Sequence, residues 1–173
     1  AVMLDGVSGI GFGSFTNCSA LKTVVIPDTV TSIGAHAFSG CASLESVAIP
    51  GKVTVIEQCT FQDCANLKSV TIPETVTGIG NSAFDGCSSL TGLMLPQGIT
   101  RIEDSTFYNC TALTGLVIPR DVTYIGREAF DKCAALTSLE IPAGVIEIGN
   151  GAFIGCSGLK SLVIPEGVTA IPE

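Results

Sequence analysis

Apolar and polar positions along this chain repeat in a fixed order. Phe15, Phe38, Phe61, Phe84, Phe107, Phe130 and Phe153 stand 23 residues apart, and so do Leu21, Leu44, Leu67, Leu90, Leu113, Leu136 and Leu159. Cys18, Cys41, Cys64, Cys87, Cys110, Cys133 and Cys156 keep the same step, as do Pro27, Pro50, Pro73, Pro96, Pro119, Pro142 and Pro165. Four residue types locked to one period over seven copies define a repeat, and a period of this length belongs to solenoids and arrays. The unit reads F-x-x-C-x-x-L-x-x-V-x-I-P-x-x-V-x-x-I-G-x-x-A-F.

The pattern inside the unit predicts its elements. In Leu67-Lys68-Ser69-Val70-Thr71-Ile72-Pro73 the residues alternate polar and apolar from Ser69 to Ile72, which predicts a short strand with Val70 and Ile72 turned inward. Pro73 lacks an N–H and ends the ladder. Val76 and Ile79 mark a second, shorter inward segment, and the glycine after the isoleucine (Gly34, Gly80, Gly126, Gly149) predicts a tight bend. Glu57 and Glu103 fill that place in two repeats, so a positive φ is not obligatory there. The Ala-Phe-x-x-Cys stretch that follows predicts one turn of 3₁₀ or α-helix.

One such unit cannot bury its apolar face alone, so stability must come from coil-to-coil packing and hydrogen bonding. The expected body is a single domain over residues 1–173, about seven coils and, at the usual strand spacing, roughly 35 Å long. Residues 1 to 4 form a degenerate first coil, and the chain stops within a repeat at Ile171-Pro172-Glu173. Neither end carries a polar capping segment, which points to a piece of a longer array.

These residues resemble the BspA-like class of leucine-rich repeat, whose unit carries L-x-x-V-x-I-P, V-x-x-I-G and A-F-x-x-C. The resemblance runs from about residue 10 to residue 171. It implies an α/β repeat solenoid: a right-handed coil with a parallel sheet on one face and short second strands with 3₁₀ or helical turns on the other. It also implies a cell-surface or secreted module that adheres to host proteins, matrix proteins or other cells, and it carries over no catalytic residues. That functional implication is analogy, since one fold serves many functions.

Charge narrows the partners. The net charge is −8, with only eight lysines and arginines, too few for a phosphate-neutralising surface, so nucleic acid and anionic membrane surfaces are not the expected targets. Pro, Gly or a charge interrupts every apolar stretch before it reaches the roughly 18 residues of a membrane-spanning helix. The expected partner is a protein, with a glycan as a further possibility, and no cofactor or metal is expected.

The candidate chemistry is sparse. A line of single thiols does not converge on a point as metal ligation demands, and parallel stacking directs the Cβ atoms of the cysteine column alike instead of toward one another. The column therefore reads as reduced, buried thiols acting as small hydrophobes. Cys59 sits where His36, Ser82, Ser105, Glu128 and Gly151 stand. This variable place is expected to be exposed, making Cys59 the one reactive thiol. The phenylalanine column reads as an inward stack. His36 is the only histidine, too little for a nucleophile and base pair, and no polar cluster breaks the periodicity. Gly9-Ile10-Gly11-Phe12-Gly13 aligns with an ordinary repeat turn and not with a dinucleotide loop. Asn17-Cys18-Ser19 and Asn109-Cys110-Thr111 are glycosylation sequons that overlap the cysteine column.

The strand alternation leaves two columns facing outward. Thr23, Ser46, Ser69, Gly92, Gly115, Ser138 and Ser161 are all small; Val25, Ala48, Thr71, Met94, Val117, Glu140 and Val163 are mostly apolar. The second column is the candidate binding strip, since exposed apolar patches mark interaction sites; strand propensity of β-branched residues explains it equally. Met94, Val117 and Glu140 depart most from a uniform column. If the strip binds nothing, the module is a spacer that displays other domains. A third column, Thr31, Thr54, Thr77, Thr100, Thr123, Ile146 and Thr169, resembles the threonine ladders of ice-binding proteins, although strand propensity accounts for most of it.

Overall fold

A computed structural model describes residues 6–169 and 171. The degenerate first coil at residues 1 to 4, and Pro172 with Glu173, lie outside the described residues. The chain winds as a parallel β-solenoid in which each residue pairs with its counterpart one repeat on. Three-residue strands Ser46–Ala48, Ser69–Thr71, Ser138–Glu140 and Ser161–Val163 form the front ladder. Two-residue strands form the second, among them Ser32–Ile33, Val55–Ile56, Gly78–Ile79, Arg101–Ile102, Tyr124–Ile125 and Glu147–Ile148. All pairs are parallel, with Val47 facing Val70, Leu139 facing Leu162, and Ile125 between Ile102 and Ile148.

The proline between the ladders does more than stop a strand. The carbonyls of Pro27, Pro50, Pro73, Pro96, Pro119, Pro142 and Pro165 each accept the N–H of the valine or isoleucine three residues on, at 3.0–3.2 Å, so proline opens a β-turn that swings the chain into the second ladder. The valine or isoleucine closing that turn is fully buried at Val30, Val53, Val76, Ile99, Val122 and Val145.

The expected helical turn is absent: among the described residues there is no α- or 3₁₀-helix. The segment from Gly34 to Cys41 instead alternates two kinds of hydrogen bond. Ala37, Ser39 and Cys41 donate locally to Gly34, His36 and Phe38. The intervening N–H groups of His36, Phe38 and Gly40 donate across to Gln58, Thr60 and Gln62 of the next coil, at 3.1, 2.9 and 2.7 Å. A helix spends consecutive N–H groups on its own turn; here every second one is taken by a neighbouring coil, which yields a run of overlapping β-turns and a third inter-coil ladder. The α/β description therefore gives way to an all-β one.

These turns need a left-handed residue twice per coil. One column is Gly13, His36, Cys59, Ser82, Ser105, Glu128 and Gly151; the other is Asn17, Gly40, Asp63, Gly86, Asn109, Lys132 and Gly155, all with φ between 53° and 72°. Each stands third in a local turn, the place where a type II turn requires positive φ. Asn, Asp and Gly tolerate that conformation, which explains why Asn17 and Asn109 fall at sequon positions.

The glycines after isoleucine carry a different constraint. Gly34, Gly80, Gly126 and Gly149 do not have positive φ, so the tight-bend reading is replaced by one of close approach. A Cβ on Gly126 would lie 2.5 Å from the Asp104 amide nitrogen, and one on Gly80 2.6 Å from that of Gln58. Where glutamate stands in this place, at Glu57 and Glu103, the buried alanine three residues on becomes threonine, and Thr60 and Thr106 each donate their hydroxyl to that glutamate's carbonyl at 2.7 Å. Gly126→Ala is expected to destabilise the fold by about 1–3 kcal/mol through overpacking. Gly78→Ala, whose Cβ would meet nothing nearer than Val55 at 3.7 Å, should change stability little. Urea denaturation of the two variants checks this, and equal losses would refute the close-approach account.

The core is the column pattern made solid. Leu44, Leu67, Leu90, Leu113 and Leu136 are fully buried in one continuous cluster with the cysteines, valines and isoleucines. The seven phenylalanine rings stack in one row with centroids 5.2–5.8 Å apart and planes within 15° of parallel, a spacing suited to offset stacking.

Candidate binding face

The front ladder presents a line of exposed side chains. Ala48, Thr71 and Glu140 are exposed, and among the large hydrophobics Val25 (59%), Met94 (87%), Val117 (77%) and Val163 (76%) stand mostly in solvent. Beside them the small column is open at Ser46, Ser69, Ser138 and Ser161 and half-buried at Gly92 and Gly115, so nothing tall screens the apolar line.

The ladder is not continuous. Ser46–Ala48 pairs with Ser69–Thr71, Met94 with Val117, and Ser138–Glu140 with Ser161–Val163, but Thr71 is not bridged to Met94, nor Val117 to Glu140. The two middle coils carry Gly92 and Gly115 where the others have serine or threonine, and glycine weakens a strand interior. A groove opens at each break. One runs past Thr71, Ile72, Glu74 and Met94. The other has apolar walls at Val117, Ile118, Pro142 and Ala143 and two charges, Arg120 and Glu140.

The threonine column is exposed throughout Thr31, Thr54, Thr77, Thr100, Thr123 and Thr169. Its backbone N–H groups are spent on the preceding coil, Thr77 to Thr54 and Thr123 to Thr100 at 2.9 Å, and the Thr31 hydroxyl donates to Ser8 at 3.1 Å. This is the behaviour of strand-forming threonines.

The cysteine column is buried from Cys41 to Cys133, half-buried at Cys156 and, against expectation, exposed at Cys18 in the first described coil, and it has a role beyond filling space. Cys41, Cys64, Cys87, Cys110, Cys133 and Cys156 each donate their thiol to the carbonyl of a phenylalanine in the preceding coil, at 3.1–3.2 Å. Burial pushes the thiol of Cys41 up to about 11 and those of Cys64 and Cys133 up to about 12. The reactive-thiol expectation needs correction. Cys59 is only partly exposed, and burial, with the carboxylates of Asp85 and Asp63, raises its pKa. The exposed thiol is Cys18, in the first described coil.

The structure also shows a polar cluster that the periodicity concealed. The Arg101 guanidinium lies 3.8 Å from the Tyr124 ring centroid and donates to Glu103 at 2.8 Å, a bond that raises its pKa. The Tyr124 hydroxyl donates at 3.1 Å to Asp104, whose same oxygen accepts the Arg127 N–H at 2.8 Å. Nearby, Lys132 sits over the Tyr108 ring, 4.7 Å from its centroid, and donates to its hydroxyl. These are the chain's only tyrosines, and the placement of Tyr124 one repeat beyond Arg101 was the available signal; Tyr108 and Lys132 stand 24 residues apart, off the period. The groups pair with one another across adjacent coils, linking Arg101 and Tyr124 of the second ladder to the turn residue Asp104. Among the described residues no group of three or more His, Cys, Asp or Glu could hold a metal ion, and no helix is long and apolar enough to cross a membrane.

Seven coils of parallel ladders, a leucine-lined core and a regular solvent-facing column define a leucine-rich repeat solenoid. The chain belongs to the BspA type leucine rich repeat region family, whose model matches residues 2–111 and 78–173 with six copies. No curated protein matches it in sequence. Among solved structures it is similar to the leucine-rich repeat protein of T. pallidum, with a TM-score of 0.84 and 28% identity, covering 93% of this chain and 78% of that one. It is also similar to a leucine-rich cell surface protein of Faecalibacterium prausnitzii, with a TM-score of 0.69 and 27% identity over 93% of this chain and 58% of that protein. The pneumococcal vaccine antigen PcpA shares the fold, with a TM-score of 0.58 at 18% identity over 94% of this chain and 53% of that one.

Proposed function

We propose that this chain is a non-catalytic, surface-exposed or secreted repeat module that binds a protein partner through its front ladder. The observation that carries the reading is the exposure of Val25, Met94, Val117 and Val163 along one face, with Met94 and Val117 on adjacent coils, beside a column of small residues and over two grooves. Contiguous exposed apolar residues, such as Met94 and Val117 on neighbouring coils, mark interaction sites. The similarity to a protein described as a cell surface protein supports the location.

The double variant Met94→Asp, Val117→Asp tests it. Both side chains are in solvent, so the variant should melt within a few degrees of the parent. On an array of extracellular-matrix and cell-surface proteins, the parent should capture a partner that the variant holds at least tenfold more weakly, as expected when central anchors are lost. A spacer that only displays other domains predicts identical array profiles for the two proteins, and that result would remove the proposal.

A further inference from the structure

Glu140 is the one charged residue in the exposed column of the front ladder. It borders the second groove, opposite Val117 and beside Pro142 and Ala143, and on its other side lies a depression bounded by Ser161 and Val163. Three ion pairs join described residues, and Glu140 is in none of them. The groove's other charge, Arg120, already faces a counter-charge: its Nε lies 3.7 Å from Asp121. The groove is thus lined by one cation that has a counter-charge in Asp121 and one anion that has none, Glu140, set beside apolar walls on a chain of net charge −8.

We propose that the partner segment seated at this break carries a lysine or arginine whose alkyl stem lies along Val117, Pro142 and Ala143 and whose cationic head meets the Glu140 carboxylate. The inference rests on the strand-face reading above and names the chemistry it selects. Lysine and arginine are the side chains that combine the two halves, since their methylene stems cover apolar surface while the head stays at the solvent edge. The chain's net charge of −8 favours the approach of such a segment over an acidic competitor. An aliphatic side chain would fill the groove but leave Glu140 without a partner, and an acidic one would be repelled.

A random dodecapeptide library displayed on phage and selected on the immobilised chain supplies the probe. Bound peptides are then measured by fluorescence polarisation against the parent, Met94→Asp/Val117→Asp, Glu140→Gln, Glu140→Lys and Arg120→Ala. Circular dichroism melting confirms that each variant folds. Peptides that depend on Val117 should share a lysine or arginine beside an apolar residue. Glu140→Gln should weaken them about threefold, as for an exposed ion pair, and Glu140→Lys at least tenfold. Changing the peptide's cation to glutamate should then restore binding to Glu140→Lys over the parent. Peptides lost on the Met94/Val117 variant yet indifferent to Glu140→Lys overturn this inference and leave the strand face standing. Acidic peptides that are lost on Arg120→Ala do the same. A selection with no peptide sensitive to Met94→Asp/Val117→Asp overturns the strand-face reading and this one with it.

Discussion

Replacing Phe84 with alanine is expected to cost about 3–5 kcal/mol of unfolding free energy, the range for deleting a buried aromatic. The ring is fully buried and stacked between Phe61 at 5.7 Å and Phe107 at 5.8 Å. The backbone that carries the ring is itself tied to its own and both adjacent coils, which limits collapse of the hole. The Phe84 N–H donates to Thr106 at 3.0 Å, its carbonyl accepts the Cys87 N–H at 3.1 Å, and the Cys110 thiol donates to that same carbonyl at 3.2 Å. Phe153→Ala removes a ring that is half-buried and has one stacking partner among the described residues, and should cost less than half as much. Urea titrations of the two variants make the comparison. Because coils couple only to their neighbours, the central variant should also broaden the transition, as the stack is cut into two shorter ones. Equal losses at Phe84 and Phe153 would mean that the rings are independent and the column is not a coupled stack.

The features legible in the sequence are those that burial enforces at every coil. Phe, Leu, Cys, Val and Ile recur because each must sit above its like, and so the period, the inward faces and the outward column at Met94 and Val117 are legible in the sequence alone. The turn segment was misread because Ala-Phe-x-x-Cys has the spacing of a helical turn. What decides its conformation is the competition for N–H groups between the local turn and the adjacent coil, which one repeat in isolation does not display. Two left-handed positions per coil were hidden for the same reason: His36, Cys59, Ser82 and Glu128 share no chemistry, only a place third in a turn. The breaks in the front ladder fall at Gly92 and Gly115, which the sequence shows only as small members of an outward column and whose consequence in the fold is weaker pairing. The Arg101–Tyr124–Asp104 cluster was missed because its members sit in different columns, and periodic reading compares residues within a column.

The thiol column is expected to make the protein sensitive to alkali. Burial raises the thiols of Cys41, Cys64 and Cys133 to between about 11 and about 12, and those of Cys87 and Cys110 well above their usual value. In the unfolded chain a thiol loses its proton near pH 8.5–9. Between that pH and the folded value, the native state keeps protons that the unfolded state has released, so unfolding is increasingly favoured as pH rises. Below about pH 8 both states hold the proton and thiols contribute no pH dependence. Each of the five fully buried thiols should therefore subtract about 1.4 kcal/mol per pH unit above pH 9, a slope that exposed pairs such as Lys68 with Glu45 at 3.4 Å are too weak to mask. Urea midpoints under reducing conditions should be level from pH 7 to 8 and fall steeply from pH 9 to 10.5, and Cys64→Ala should make that fall shallower by about one proton. At pH 8 a disulfide reagent should modify Cys18 at once, the partly exposed Cys59 and Cys156 slowly, and the buried five only on unfolding, since the thiolate is the reacting species. A stability curve level to pH 11, or eight thiols reacting together in the native state, would show that the column is not sealed between the coils.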